Sequence, residues 1–133
     1  MSEGRRLALV VQDEVVKQRI LAALADETSR RILADATQNR MSLLAMSKRY
    51  QVPAWKIDQR LTELLDIGLL AVVKTAGTSN GLAYRSLVDQ VNMRLSPEGV
   101  SVHLGVNGTV SSREMRGLLQ VSRPEDERML AEV

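Results

Sequence analysis

The sequence lacks cysteine and phenylalanine altogether, and it has only one tryptophan and two tyrosines among its 133 residues. Without cysteine, the chain forms neither disulfide bonds nor thiolate metal sites, which fits a reducing cytoplasm. With so few aromatic residues, the core must be built from Leu, Val, Ile, Ala and Met. The hydrophobic content of 44% and the charged content of 26% are ordinary for one globular domain.

Long apolar runs are also absent. The run from Leu7 to Val11 follows two arginines, but it stops after five residues at a polar triplet. A secretory signal needs about 7–15 consecutive apolar residues, and a membrane span needs about 20. We therefore expect a cytoplasmic protein that is neither exported nor embedded in a membrane.

Charge is distributed unevenly, although the net charge is only +2. Between Thr28 and Arg85, nine basic residues stand against four acidic ones, a local excess of five positive charges. The tail is acidic and contains Glu125, Asp126, Glu127 and Glu132. A basic middle suggests a surface that binds a polyanion, but charge alone fits an ordinary solvated surface equally well.

The N-terminal region predicts a helix over Asp13 to Leu24, because apolar residues recur at helical spacing. If this helix begins earlier, near Arg5, its apolar run needs covering on more than one side. Either a partner subunit covers the run or the run folds back into its own core; the sequence favours neither. The segment Leu7–Leu24, alone or with the predicted C-terminal helix Ser112–Val121, is expected to hold a dimer. The residues expected at the dimer contact are Leu7, Leu9, Val11, Val16 and Ile20.

Three helices are predicted next. Asp26 or Thr28 caps the first, and Ser42 caps the second, which ends at Tyr50. A turn over residues 51–53, with proline at its end, leads into the third helix. Two helices joined by about three residues form a helix-turn-helix pattern.

The third helix is predicted over Ala54–Asp66, and Gly68 supplies a left-handed closing residue. After Gly68, the spacing of apolar residues changes from that of a helix to that of strands. Two β-branched segments flank the turn-forming residues GTSNG and predict a hairpin over residues 70–88. A hairpin directly after such a helix is the wing of a winged helix.

The remaining residues predict a C-terminal extension. Pro97 and Gly99 suit a turn between two further strands. Ser111 with Glu114 forms a capping box for another helix. The residues from Ser122 onward form either a last short helix or a loose acidic tail.

The segments LADETSRRIL, MSLLAMSKRYQVPAWKIDQRLTELLDIGLL and AVVKTAGTSNGLAYRSL together resemble the ArsR-like winged helix-turn-helix transcriptional regulators. The similarity covers roughly Leu24 to Leu87. It implies an α+β, mostly α fold, in which a bundle of three or four helices carries a β-hairpin wing. We expect residues 1–88 to form this DNA-binding domain with an N-terminal dimerisation helix, and residues 89–133 to form the extension.

Two departures limit what the resemblance implies. Many family members sense metals through helix cysteines, which this chain lacks, so metal sensing is not implied. The family's recognition helix commonly starts with Ser or Thr residues, whereas this chain has Pro53-Ala54-Trp55-Lys56. No operator sequence is therefore implied either.

The predicted recognition helix directs Trp55 away from its apolar face, together with Gln59, Thr62 and Asp66. In a major groove, Gln59 can form a bidentate pair with adenine, and Lys56 can reach guanine or a phosphate. Trp55 packs on a thymine methyl or on the sugar-phosphate wall. Alternatively, Trp55 folds over Tyr50 and Pro53 as a local lid.

Cations and a polar wing tip complete the predicted interface. Wing contacts should contribute mainly salt-dependent affinity for the backbone or the minor groove. The alternative for each of these cations is that it is an ordinary surface charge that contacts only solvent. The full set of predicted DNA-binding residues is Lys48, Arg49, Ala54, Trp55, Lys56, Gln59, Arg60, Lys74, Thr78, Asn80 and Arg85.

The sequence predicts neither an enzyme nor a metalloprotein. No nucleophile–base pair and no Gly-rich phosphate loop can be nominated, so we expect no cofactor. His103, the only histidine, lies in an alternating stretch and is expected to be a half-buried strand residue.

The favoured hypothesis is a homodimeric, nucleoid-associated regulator that binds double-stranded DNA of a specific sequence. Two alternatives stay open. One is a winged helix that binds a protein partner through Trp55, and the other is a non-specific, chromatin-like DNA-binding protein.

Overall fold

A computed structural model describes residues 7–74, 81–108 and 110–125. Five helices and six strands lie along these residues: β1 is followed by four consecutive helices, then by four consecutive strands, then by α5 and β6. The helices are α1 (Glu14–Ala25), α2 (Glu27–Ala36), α3 (Leu43–Tyr50), α4 (Ala54–Asp66) and α5 (Ser112–Leu119). The strands are β1 (Ala8–Val11), β2 (Leu70–Lys74), β3 (Leu82–Ser86), β4 (Val88–Ser96), β5 (Gly99–Val106) and β6 (Ser122–Pro124).

The helices begin where the sequence places polar caps. The Asp26 carboxylate accepts a hydrogen bond from the Ser29 backbone N–H at 2.8 Å, so the cap of α2 is Asp26 and not Thr28. The Ser42 hydroxyl caps α3 by accepting from the Ala45 N–H at 3.1 Å. At the end of α4, Gly68 has a φ of +85°, the left-handed conformation expected of it.

Strands β2 and β3 form the wing directly after α4. They pair antiparallel from Leu70 opposite Ser86 to Lys74 opposite Leu82. Met41, which precedes α3, pairs with Tyr84 and ties the wing to the helices. The predicted winged helix-turn-helix fold is therefore confirmed, in an α+β chain.

The prediction that a helix begins near Arg5 is wrong for the part of that run that the structure describes. Residues 8–11 form β1, which lies between β5 and β6 in a four-stranded antiparallel sheet ordered β4-β5-β1-β6. Leu9 lies opposite Leu104, and Val11 shares its face of the strand. Both side chains are buried while their neighbours are half-buried, which is the two-residue period of a strand.

The same burial bears on the predicted dimer contact. Leu9, Val11 and Ile20 are 0%, 3% and 1% exposed within a single chain, so their own chain already covers these side chains. Leu7 and Val16 are half-buried and pack against the same core. The alternative that the run folds back into its own core is the one observed.

The C-terminal extension joins the N-terminus in one sheet. The predicted capping box is present at α5: the Ser111 hydroxyl accepts from the Glu114 N–H, and the Glu114 carboxylate accepts from the Ser111 N–H. The prediction that Ser122 caps a short helix is wrong for the described residues, because residues 122–124 form β6 and pair with Leu9 to Val11. The rest of the predicted helix or acidic tail, from residue 126 onward, lies outside the described residues. As a strand, residues 122–124 form backbone hydrogen bonds with β1, whereas an isolated helical turn is only marginally stable.

Helices and sheet share one hydrophobic core. It is built from Leu, Ile, Val, Ala and Met with both tyrosines, as the composition predicts. Ile57, Leu61 and Leu64 bring the buried face of α4 into this core. The outer face of α4 is thereby fixed relative to the rest of the chain.

Gly105 allows a close approach between β4 and β5. A Cβ atom on Gly105 would lie only 2.9 Å from the Gln90 Cβ, beside the irregular register between Val88 and Gln90. We expect Gly105→Ala to lower the free energy of unfolding by about 1–3 kcal/mol through overpacking. Chemical denaturation measures this change.

Gly117→Ala is the matched control, since Gly117 lies within α5 and an added Cβ meets no atom within 4 Å. It should raise stability by up to about 1 kcal/mol, because alanine favours helix over glycine. Equal effects of the two substitutions would contradict the close approach at Gly105.

Candidate nucleic-acid interface

The turn between α3 and α4 is held by local hydrogen bonds. Gln51 adopts a left-handed conformation, with φ 56° and ψ 46°, and ends α3. The Ser47 hydroxyl donates to the Val52 carbonyl at 2.7 Å, while the Val52 N–H donates to the Ser47 carbonyl at 3.2 Å. These contacts set the direction in which α4 leaves the turn at Pro53.

A second anchor fixes α3 to α2. The Tyr50 hydroxyl donates to the Asp35 carboxylate at 2.6 Å, and Arg49 Nε approaches the same oxygen at 3.2 Å. Burial and the neighbouring Asp35 carboxylate both raise the pKa of Tyr50 above its ordinary value. The phenol therefore stays protonated and continues to donate this bond at any physiological pH.

The faces of α4 are divided as the sequence predicts. Ile57, Leu61 and Leu64 are buried, and Ala54, Trp55, Gln59, Thr62 and Asp66 are exposed. Lys56 lies on the border and is half-buried. The N-terminal half of the exposed face thus carries an indole, an amide and an ammonium group close together.

Trp55 is 69% exposed. A lid folded over Tyr50 and Pro53 would bury a large part of the indole, and so high an exposure disagrees with that alternative. An indole this exposed presents a large apolar surface to water unless another molecule covers it.

Three of the predicted arginines are held in ion pairs within the chain. Arg49 pairs with Asp35, as described above. Arg60 Nε lies 3.1 Å from the Asp26 carboxylate, and its guanidinium also approaches Glu63 at 3.5 Å. On β3, Arg85 pairs with Glu114 of α5.

The pKa values agree with a structural role for two of these pairs. Burial raises the pKa of the Asp26 carboxyl, but the Ser29 N–H and the Arg60 guanidinium outweigh burial and hold it below its ordinary value. Burial likewise raises the pKa of Glu114, but the Ser111 N–H and the Arg85 guanidinium outweigh burial. The pKa of Glu114 therefore lies below its ordinary value. Arg60 and Arg85 therefore join α4 to the start of α2 and the wing to α5.

The predicted lysines remain available. Within the described ranges, Lys48, Lys56 and Lys74 make no ion pair, and Lys48 and Lys74 are exposed. They lie on α3, α4 and β2, the elements around the turn and the wing. Thr78 and Asn80 of the predicted wing tip lie outside the described residues.

Acidic residues on α4 were missing from the predicted site. Asp58, Glu63 and Asp66 are exposed and outnumber Lys56 and Arg60 on the same helix. Asp66 pairs with Arg19 of α1 at 2.8 Å. Burial raises the pKa of Tyr84, and the nearby Asp58 charge raises it further.

The described residues contain no group of three or more His, Cys, Asp or Glu side chains that could hold a metal ion. His103 is a largely buried residue of β5, as its alternating stretch predicts. Its Nδ1 lies 2.5 Å from Glu125, and its Nε2 lies 3.0 Å from the Ser101 hydroxyl. None of the helices described is long and apolar enough to cross a membrane.

Several solved structures are similar to this chain, including the following three. An ArsR-like transcriptional regulator from Rhodococcus sp. RHA1 is 29% identical with a TM-score of 0.49, and the match covers 55% of this chain and 64% of that one, less than two thirds. NolR from Sinorhizobium fredii is 14% identical with a TM-score of 0.44 and 78% of each chain covered. HlyU from Vibrio cholerae N16961 is 20% identical with a TM-score of 0.39, covering 80% of this chain and 90% of that one.

No family model matches the chain, and a search of curated proteins finds no significant match. The ArsR-like regulators that the sequence resembles are nevertheless represented among the similar solved structures.

Proposed function

We propose that the protein is a transcriptional regulator that binds double-stranded DNA as a homodimer. The N-terminal half of α4 enters the major groove, and the wing contacts the backbone or the minor groove. Two copies place their α4 helices in successive major grooves, about 34 Å apart, and so read a palindromic site.

The observation that carries this proposal is the exposed face of α4. The core holds the opposite face through three fully buried residues, and the anchored turn directs the helix outward. On the exposed face, Gln59 can bond an adenine edge, and Trp55 can pack on a thymine methyl or on the sugar wall. The described residues leave 69% of Trp55 exposed.

The roles of the predicted cations differ from what the sequence indicated. Lys48, Lys56 and Lys74 are proposed to contact phosphates, because they are free of ion pairs within the described ranges. Arg60 and Arg85 are proposed to stabilise the fold, since each lies against a carboxylate and is less than a quarter exposed. Arg49, which is mostly exposed, can leave Asp35 to reach a phosphate at the cost of one ion pair.

A salt titration of DNA binding tests this division. With three lysines in each of two copies, we expect the log of the affinity to fall against the log of salt concentration with a slope of about −5, from roughly −0.9 per neutralised phosphate. Lys56→Gln should flatten the slope by about 2 for the dimer. Gel retardation from 50 to 300 mM salt measures it.

Arg60→Gln is the matched control and should lower stability without changing this slope. A slope steeper than about −7, the value for the three lysines and Arg49 in two copies, would mean that Arg60 or Arg85 also neutralises phosphates. Binding that is indifferent to both salt and sequence would contradict the proposed function itself.

A protein-binding winged helix is the second candidate. The excess of acids on α4 favours it, because Asp58 and Glu63 would approach phosphates unfavourably beside a DNA groove. In this case Trp55 anchors a partner protein. Selection of bound oligonucleotides from a random pool separates the candidates: an enriched sequence supports the regulator, and a protein that retains no DNA supports the protein-binding module.

A further inference from the structure

If the proposed homodimer does not use the buried residues of β1, another surface must hold it. The described part of the chain has six large hydrophobic residues that are exposed, and two of them, Met93 and Leu95, share one face of β4. Leu95 is 87% exposed and Met93 is 58% exposed. Met93 lies opposite the buried Val102, and Val91, on the same face of β4, lies opposite the buried Leu104. The apolar row therefore extends from the core to Leu95 near the end of the hairpin.

Strand β4 is also an open edge of the sheet. It is nine residues long, and no described strand pairs with its outer side. The opposite edge, β6, has only three residues and includes Pro124, which has no N–H to donate. Long edges with unpaired N–H and C=O groups are templates for another strand.

An apolar groove lies beside this edge. It has a volume of about 500 Å³, and its lining consists of the apolar Leu24, Leu33, Ala34, Val88, Val91 and Met93 together with the polar Arg30, Thr37, Asp89 and Gln90. A protruding leucine and an apolar groove on the same strand make the surface complementary to itself. This is the arrangement that a two-fold interface requires, since each copy supplies both halves.

We infer that a second copy of the chain docks on β4, its own β4 running antiparallel with Met93 on the two-fold axis. Leu95 then lies opposite Val91 of the second copy, at the groove. In this register residues 90–96 of the two strands face each other, a paired length of about 24 Å at about 3.4 Å per residue. A circular patch of about 800 Å², the usual contribution of each partner, is about 32 Å across, so the groove beside the strand must supply the rest of the contact.

Charge selects this register over its neighbours. With Met93 on the axis, Arg94 lies opposite Asn92, and Asp89 lies opposite the uncharged Pro97. A shift of one residue that places Arg94 on the axis opposes two arginines, which is unfavourable. A shift the other way places Leu95 opposite Asp89 and removes it from Val91.

Cysteine cross-linking tests the interface directly, because the chain has no cysteine of its own. Opposed residues in an antiparallel pair have Cα atoms about 4.5–5.5 Å apart, within the range that a disulfide spans. We expect Met93→Cys to form a covalent dimer on mild oxidation and Val15→Cys, an exposed position on α1, to stay monomeric on a non-reducing gel. Cross-linking of the α1 variant instead, or of neither variant, overturns the inference.

Light scattering gives a second test that does not depend on oxidation. Leu95→Arg should halve the mass of the full chain in solution, whereas Val15→Arg should leave it dimeric, with thermal melting confirming that both fold. A wild type that is monomeric at every concentration, or a dimer that Leu95→Arg does not dissociate, overturns the inference and leaves the groove to another occupant.

The inference rests on the homodimer of the proposed function, but the two can fail separately. Leu95→Arg should still retard a DNA half-site while losing the preference for the palindrome. If the wild type selects no DNA sequence, the proposed function fails, and cross-linking at Met93 still decides the interface.

Discussion

Replacing Gln59 or Trp55 by alanine is expected to lower the affinity for a selected DNA sequence about 10- to 100-fold, while the affinity for random duplex changes less than about threefold. The reason is that both side chains lie on the exposed N-terminal half of α4, where base edges are read. Neither contributes to the core, so folding should be unaffected. Gel retardation with the two duplexes measures the ratio.

Gln18→Ala is the control for the glutamine, because Gln18 is equally exposed but lies on α1. It should leave both affinities unchanged. An equal loss on the selected and the random duplex would indicate a backbone contact and favour the chromatin-like alternative. If DNA binding survives both substitutions and only a protein partner is lost, Trp55 belongs to a protein interface.

Leu9→Ala is expected to lower the free energy of unfolding by about 2–5 kcal/mol, a large share of the roughly 5–15 kcal/mol available to a domain. Leu9 is fully buried at the centre of the four-stranded sheet, so its loss leaves a cavity between the sheet and the helices. For a chain of this length the melting temperature should fall by about 10–20 °C. Because the contact lies within one chain, the loss should not depend on protein concentration.

Leu44→Ala removes the same atoms from an exposed position of α3 and should change stability by less than about 0.5 kcal/mol. A Leu9 effect that appears only at high concentration would return Leu9 to a dimer contact. An effect no larger than that of Leu44→Ala would mean that β1 does not belong to the core.

The helix-turn-helix and the wing could be predicted because their signals are local. A cap such as Asp26 or Ser42 acts within three residues of itself, and Gly68 closes the helix that directly precedes it. The recognition helix was predicted over the same residues as α4, Ala54–Asp66, because its apolar period spans three turns. That period predicts that Trp55 points away from the core, but it does not distinguish an exposed indole from one folded over Tyr50 and Pro53.

Strand β1 could not be predicted in the same way. A run of five apolar residues has no period that separates helix from strand, and its partner Leu104 lies 95 residues further along the chain. The roles of the arginines were hidden for a similar reason. Arg60 meets Asp26 and Arg85 meets Glu114 across 34 and 29 residues, so a count of charges shows the cations but not their partners.

Fluorescence of Trp55 is the most direct measurement of the central claim, that the exposed face of α4 contacts DNA. Since the chain contains one tryptophan, its emission reports this position alone. Adding the selected duplex should shift the emission and protect the indole from acrylamide quenching, and random duplex at the same salt concentration should do so less. DNA retardation without any change in emission or quenching would contradict the account.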